Sequence, residues 1–122
     1  MALECINPAE LPVPPEYSHV VVATGSRLVF VAVLGDLAGD IAIQARQAFA
    51  NVGRALAAAG ARPEQVTKIT IFVARYRREY LLAIEAGRVA LFGEHKPADT
   101  LVGVEALSRP EYLIEVDAIA VA

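Results

Sequence analysis

Residues 40–73, DIAIQARQAFANVGRALAAAGARPEQVTKITIFV, decide the fold because they encode a helix, a turn and a strand in succession. Apolar side chains recur at helical spacing through 40–59, which predicts an amphipathic helix with one buried stripe. Asp40 can cap its amino end and Gly60 can end it, because both residue types favour those positions. Alternating β-branched residues then predict a strand over 66–73.

Upstream of this unit, the sequence predicts three short strands. An extended segment covers 3–6, and runs rich in Val and Leu cover 20–23 and 28–34. The residues between the two runs, Thr-Gly-Ser at 24–26, predict a hairpin. The run over 28–34, LVFVAVL, is apolar at every position, so we expect a strand that is buried on both faces.

Downstream, the pattern predicts a second helix over 78–92, ended by Gly93. Two further strands follow, over about 100–106 and 112–121. The order β-β-β-α-β-α-β-β is typical of an α+β domain with both helices on one face of a mixed sheet. A length of 122 residues supports a single domain over 1–122.

Composition and charge narrow the classes of function. The net charge of −3 disfavours a nucleic-acid partner, because phosphate binding draws on a surplus of Lys and Arg. The single cysteine, Cys5, excludes an intramolecular disulfide and a cysteine-based zinc site. The sequence contains neither a signal-peptide pattern nor the roughly 20 apolar residues of a membrane span, so we expect a soluble, cytoplasmic protein. Apolar residues make up 56% of this small chain, which favours burial between the subunits of an oligomer.

The titratable residues give weak signals of chemistry. His19 and His95 are isolated in sequence, with no spacing that would place two imidazoles on one metal ion, so no metal site is expected. Glu115 and Asp117 stand two residues apart on a predicted strand and therefore share one face. Their closeness would raise the pKa of one carboxyl toward the range useful in acid–base catalysis. The alternative is an ordinary solvated strand face.

Six segments together resemble the RidA/YjgF family of reactive-intermediate deaminases. They are INPAELPVPPEYSH (6–19), LVFVA (28–32), GDIAIQARQAFANVGRALAAAGA (39–61), VTKITIFVA (66–74), ALFGEHKPADTLVGVEAL (90–107) and LIEVDAIAVA (113–122). The resemblance implies a chorismate-mutase-like fold and a homotrimer with a central barrel, outward helices and a pocket at each subunit interface. It also implies hydrolysis of enamine or imine intermediates, such as 2-aminoacrylate, to a 2-oxo acid and ammonia. No metal or organic cofactor is implied.

The family's pocket residues are carried over one position at a time. Tyr17 matches the tyrosine before the second strand, and Phe92 matches an aromatic residue near the pocket. Glu115 matches the catalytic glutamate that orients the attacking water or handles its proton. Thr100 matches the Ser/Thr that follows the family's arginine, and Leu101 matches the residue that offers a backbone amide to the ligand.

Two departures from the family pattern concern the ligand directly. The family's arginine falls at Asp99, and its Ser-Gly-Gln strand motif falls at Ala-Val-Leu over 32–34, centred on Val33. A guanidinium holds a carboxylate with two hydrogen bonds, whereas an aspartate repels it. At about 4 Å one such interaction is worth roughly 1 kcal/mol in water and about 4 kcal/mol at an effective dielectric constant near 20. We therefore expect little deamination of 2-aminoacrylate. One alternative is a neutral or cationic ligand. Another is that deamination survives with Arg27 supplying the positive charge.

The predicted helices also carry apolar residues on their outward sides. Ile43 lies about 200° round the first helix from its buried stripe, and Leu82 and Val89 form an apolar line on the second. A contiguous apolar patch often marks an interface. The alternative function is therefore a non-enzymatic assembly or interaction protein, either with a natural higher-order partner or as an engineered trimer that forms a larger symmetric particle through its helical face.

Overall fold

The computed structural model describes residues 3–12, 16–35 and 38–122. The six strands of these residues are β1 Leu3–Ile6, β2 Val20–Ala23, β3 Leu28–Leu34, β4 Val66–Ala74, β5 Ala98–Val104 and β6 Ile114–Val121. The two α-helices are α1 Ile41–Ala58 and α2 Leu81–Phe92, and short 3-10 helices cover Pro63–Gln65 and Arg78–Tyr80. The predicted order of strands and helices is confirmed, and the helix predicted over 78–92 begins with a 3-10 turn.

The strands form two sheets, and this corrects the predicted hairpin. β1 and β2 make an antiparallel pair, while the second sheet has the order β3-β6-β4-β5, with β4 and β5 parallel and the other pairs antiparallel. The hairpin over 24–26 is wrong, because β2 pairs with β1 and β3 pairs with β6 along its full length. A turn pattern in the sequence predicts a bend, but it does not determine which strand pairs with either of the strands beside it. The bend carries the chain from one sheet to the other, where Arg27 exchanges two backbone hydrogen bonds with Ala122.

Helix α1 has the caps and the buried stripe that its sequence predicts. The Asp40 carboxylate accepts a hydrogen bond from the backbone N–H of Ile43 at 3.0 Å, and Gly60 follows the helix with a φ of +72°. Its buried apolar residues are Ala45, Ala48, Phe49, Val52 and Leu56. The side chain of Ile43 is exposed, as predicted.

Helix α2 packs closely against α1 because Gly87 faces it. A Cβ atom at Gly87 would lie 2.9 Å from Cδ2 of Phe49 and 3.1 Å from the carbonyl oxygen of Ala45, which leaves no room for a side chain. On the outward side, Leu82 is 85% exposed and Val89 is also exposed, which confirms the predicted apolar line. Within the described ranges, no helix is long and apolar enough to cross a membrane.

The four-stranded sheet has one face covered by the helices and one face open. The covered face buries side chains of β4 and β6, namely Ile69, Ile71, Val73, Ile114, Val116, Ala118 and Ala120. On the open face, Phe30 is 70% exposed and Leu28 is 65% exposed. The predicted two-sided burial of β3 is therefore wrong for a single chain, because only the face of Val29 and Val31 meets the core. Large apolar side chains left exposed on a sheet face in this way are typical of a surface that binds another chain.

Candidate functional site

A cavity of about 120 Å³ lies between α2 and the edge formed by β4 and β5. Its lining residues are Glu16, Tyr17, Ile71, Leu81, Glu85, Asp99 and Leu101. Asp99 and Leu101 reach the same side of β5 because side chains alternate along a strand. Their β4 partners, Ile69 and Ile71, are buried, which places this side of the strand toward the helices.

The segment before β2 brings Tyr17 to this cavity. The Ser18 hydroxyl donates a hydrogen bond to the carbonyl of Lys96 at 2.6 Å, and the Ser18 backbone N–H donates to the carbonyl of Pro97 at 3.2 Å. Ser18 itself is buried and forms a parallel bridge with Ala98. These contacts fix the segment against the beginning of β5, so the tyrosine lines the same cavity as Asp99.

A buried ion pair on α2 lies next to the cavity. Nη2 of Arg88 lies 2.8 Å from Oε1 of Glu85, and Nε of Arg88 donates to the same oxygen at 2.9 Å. The Arg88 side chain is only 4% exposed. Within the described part of the chain, Nη1 of Arg88 and Oδ1 of Asp99 are buried without a hydrogen-bond partner. Of these two residues, Asp99 lines the cavity.

Asp99 titrates close to neutral pH. Burial raises the pKa of its carboxyl to about 6, and the negative charges of Glu85 and Glu16 act in the same direction. The positive charges of Arg88 and Lys68 oppose the rise. Burial dominates because it penalises the charged form of the acid. A cavity with this lining disfavours an additional negative charge.

Three of the sequence-predicted site residues meet at this cavity. Tyr17, Asp99 and Leu101 all line it, as the family pattern implies for a pocket. Phe92 is instead buried in the core, where its ring lies edge-on to Phe49 at 6.4 Å between centroids. Val33 also packs against the core rather than in the cavity.

The remaining two predicted residues lie on the open face of the sheet. Glu115 is paired in register with Leu34 and Phe72, and the hydroxyl of Thr100 accepts a hydrogen bond from Nζ of Lys68 at 2.7 Å. Burial raises the pKa of Glu115, and the neighbouring charge of Asp117 adds to the rise. A second cavity of about 300 Å³ lies on this face, with Lys68 and Asp117 in its lining. Within one chain, the sheet thus separates Glu115 from Asp99.

Sequence reasoning missed Glu85 and Arg88, although a signal was present. Arg88 follows Ile84 by four residues, so it falls on the buried side of α2, where a cation needs a partner. An acidic residue one turn earlier, Glu85, supplies that partner. A charge pair on the core side of a helix therefore points to a polar site beneath it.

Both histidines bond to backbone rather than to each other. Nε2 of His19 lies 2.8 Å from the carbonyl oxygen of Pro12, and Nε2 of His95 lies 2.8 Å from that of Val66. Among the described residues, no group of three His, Cys, Asp or Glu side chains could hold a metal ion.

Comparison with known proteins relates the chain to one family. The family model described as endoribonuclease L-PSP matches residues 9–122. A Rid-family protein of unknown function from Yersinia pestis is 30% identical, with a TM-score of 0.92 and 100% of both chains covered. A YjgF-family member from Mycobacterium tuberculosis is 31% identical, with a TM-score of 0.71 over 87% of this chain and 86% of that one. A YjgF-family protein from Neisseria meningitidis is 25% identical, with a TM-score of 0.68 over 89% of each chain. No curated protein matches the chain.

Proposed function

The chain is a member of the RidA/YjgF family, and we propose that three copies associate to form pockets for a small molecule other than a 2-imino acid. The observation that carries this proposal is Asp99, an acid in the lining of the cavity at the position where the family pattern has arginine. The predicted fold, two helices on a mixed sheet, agrees with that of these relatives.

The open sheet face supports association of several copies. Phe30 and Leu28 are more than half exposed in one chain, although apolar side chains of this size are ordinarily buried. Contact with further copies would remove them from water. It would also bring Glu115, which lies on that same face, next to groups of another chain. A pocket between copies could then include both Glu115 and residues of the kind that line the Asp99 cavity.

The charges around the cavity disfavour a carboxylate substrate. Glu16, Glu85 and Asp99 all contribute acidic groups to the lining, and Arg88 is already paired with Glu85. A 2-imino acid would place its carboxylate against these acidic groups, and the nearby guanidinium of Arg88 is held in the ion pair with Glu85. Arg27 does not supply one, since its Nη2 donates to the carbonyl of Ala59 at the end of α1. The net charge of −3 likewise gives no support to RNA cleavage.

Two measurements test the proposal together. Light scattering after size exclusion should give about 39 kDa, three times the 13.0 kDa of one chain. With 2-aminoacrylate generated in the assay, the protein should release ammonia no faster than buffer, and Asp99→Arg should accelerate the release if the rest of the pocket is intact. A monomer, or imine hydrolysis well above buffer by the unchanged protein, would overturn the proposal.

The outward helical face favours a second candidate function, protein–protein assembly without catalysis. Leu82 is almost fully exposed, and Val89 and Ile43 are also exposed. This function predicts a discrete mass larger than a trimer. The substitution Val89→Glu should then reduce that mass to the trimer, whereas a mass that stays at three copies in the unchanged protein removes this candidate.

A further inference from the structure

The charges around the Asp99 cavity indicate which kind of ligand it takes. Of the lining residues that the structure describes, three are acids, namely Glu16, Glu85 and Asp99. Burial is the main cause that raises the pKa of Asp99, and the negative charges of Glu85 and Glu16 add to the rise, so the three groups lie close enough to interact. Like charges that line one cavity repel each other, and a cation in the cavity relieves that repulsion.

The protein's own cations leave two of these acids without an ion pair. The guanidinium of Arg88 binds Glu85 and does not line the cavity. Nζ of Lys68 donates to a threonine hydroxyl on the open face of the sheet. Both positive charges act on Asp99, but neither forms an ion pair with it. Within the described ranges, Glu16 also forms no ion pair.

Glu85 keeps one carboxylate oxygen outside its ion pair. Both hydrogen bonds from Arg88 end at Oε1 of Glu85, and Oε2 has no partner among the residues that the structure describes. The Glu85 side chain is 20% exposed and lines the cavity. This carboxylate can therefore accept a hydrogen bond from a ligand without losing its bond to Arg88.

The rest of the lining suits a short carbon chain next to a positive charge. Ile71, Leu81 and Leu101 supply apolar surface, and Tyr17 supplies an aromatic side chain. Aromatic rings attract cations at their faces. The cavity volume of about 120 Å³ is space for about four water molecules at roughly 30 Å³ each, so the ligand is small.

We propose that this cavity binds a small alkylammonium ion. The ammonium group lies toward the carboxylates of Glu16, Glu85 and Asp99, and the carbon chain lies against the apolar part of the lining. This inference rests on the proposed function, because it specifies the ligand class of the same pocket. An organic cation is favoured over a metal ion, since no three acidic, His or Cys side chains of the described residues form a group that could hold a metal.

Titration of the ¹⁵N-labelled protein with propylammonium, propanamide and propionate, at pH 7.5 and constant ionic strength, tests this inference. At that pH Asp99 is mainly ionised, because its pKa is about 6. Propylammonium should bind at least about tenfold more tightly than propanamide, which has a similar size but no charge, and propionate should not bind. The backbone amide signals of Tyr17, Glu85 and Leu101 should shift. Tighter binding of propanamide or propionate, or no shift with any probe, would overturn the inference.

Charge-removing variants separate this cavity from the acidic surface in general. Asp99→Asn and Glu16→Gln should each weaken propylammonium binding about tenfold and change the affinity for propanamide much less. Glu105→Gln removes an exposed carboxylate beyond β5 and should change neither affinity. Equal affinities for propylammonium in all three variants would overturn the inference.

The outcome for the proposed function is read separately. Imine hydrolysis by the unchanged protein would overturn the proposed function, whereas a non-hydrolytic trimer without a preference for propylammonium would overturn this inference alone.

Discussion

Asp99 combines two properties that conflict in a folded protein, since its side chain is acidic and largely withdrawn from water. Its Oδ1 has no partner among the described residues, and the charges of Glu85 and Glu16 oppose those of Arg88 and Lys68 around it. The ordinary response of a protein to an unpaired buried carboxylate is to raise its pKa, which is the direction found here. The carboxyl therefore remains an acceptor that the described residues leave unpaired at Oδ1.

At the residue scale we predict that Asp99→Asn stabilises the protein at neutral pH. The folded-state pKa of about 6 lies above the ordinary 3.8, so the native state holds this proton more tightly than the unfolded chain does. The resulting stability is fully present below about pH 4 and is lost as the pH rises through 6. A shift of this size corresponds to about 3 kcal/mol.

Denaturant unfolding between pH 4 and 8, at one protein concentration, measures this effect. The free energy of unfolding of the unchanged protein should fall relative to that of Asp99→Asn as the pH rises. The pKa of Glu115 is also raised, so its titration adds the same pH dependence to the free energy of unfolding of both proteins. Glu105→Gln is the control and should follow the unchanged protein, and parallel curves for Asp99→Asn would refute the prediction.

At the scale of elements, helices were more predictable from the sequence than strand pairings. The bounds of α1 follow from Asp40, Gly60 and the apolar stripe, all of which act within one or two turns. The partner of β3 depends on β6, more than 80 residues later by the register of Leu28 with Val121, and no local pattern carries that information. The same limit explains the wrong hairpin over 24–26.

The contact between α1 and α2 leads to a prediction about two helical glycines. At Gly87 a Cβ atom would meet the ring of Phe49 and the backbone of Ala45, neither of which can move easily. At Gly53 it would meet only Cδ1 of Leu91, at 3.0 Å, the end of a flexible side chain. Alanine gains about 1 kcal/mol over glycine in a helix, while overpacking costs about 1–3 kcal/mol.

We therefore expect Gly87→Ala to destabilise the protein and Gly53→Ala to leave it unchanged or slightly more stable. Denaturant midpoints for the two variants, measured beside the unchanged protein, give the comparison. Equal midpoints for both variants would show that the helices do not approach as closely at Gly87 as the structure indicates.

At the scale of the whole molecule, the candidate site could be predicted only in part. Tyr17, Asp99 and Leu101, which the family pattern gives as ligand-binding residues, line one cavity, and the last two lie on β5. The family pattern did not indicate Arg88, which is buried on α2 and paired there with Glu85. Glu115 lies on the other face of the sheet, so its relation to the cavity depends on contacts between copies.

Two apolar surfaces are candidates for the interface between copies, and one pair of substitutions distinguishes them. Phe30 lies on the open sheet face and Leu82 on the outward side of α2, and both are largely exposed in a single chain. If the sheet face joins three copies, Phe30→Glu places a charge in that interface, and its desolvation should shift the mass from about 39 kDa to the 13.0 kDa monomer. Leu82→Glu should leave the trimer intact, because the helices then face water. Circular dichroism must show unchanged helix content in both variants, and dissociation by Leu82→Glu alone would assign assembly to the helical face instead.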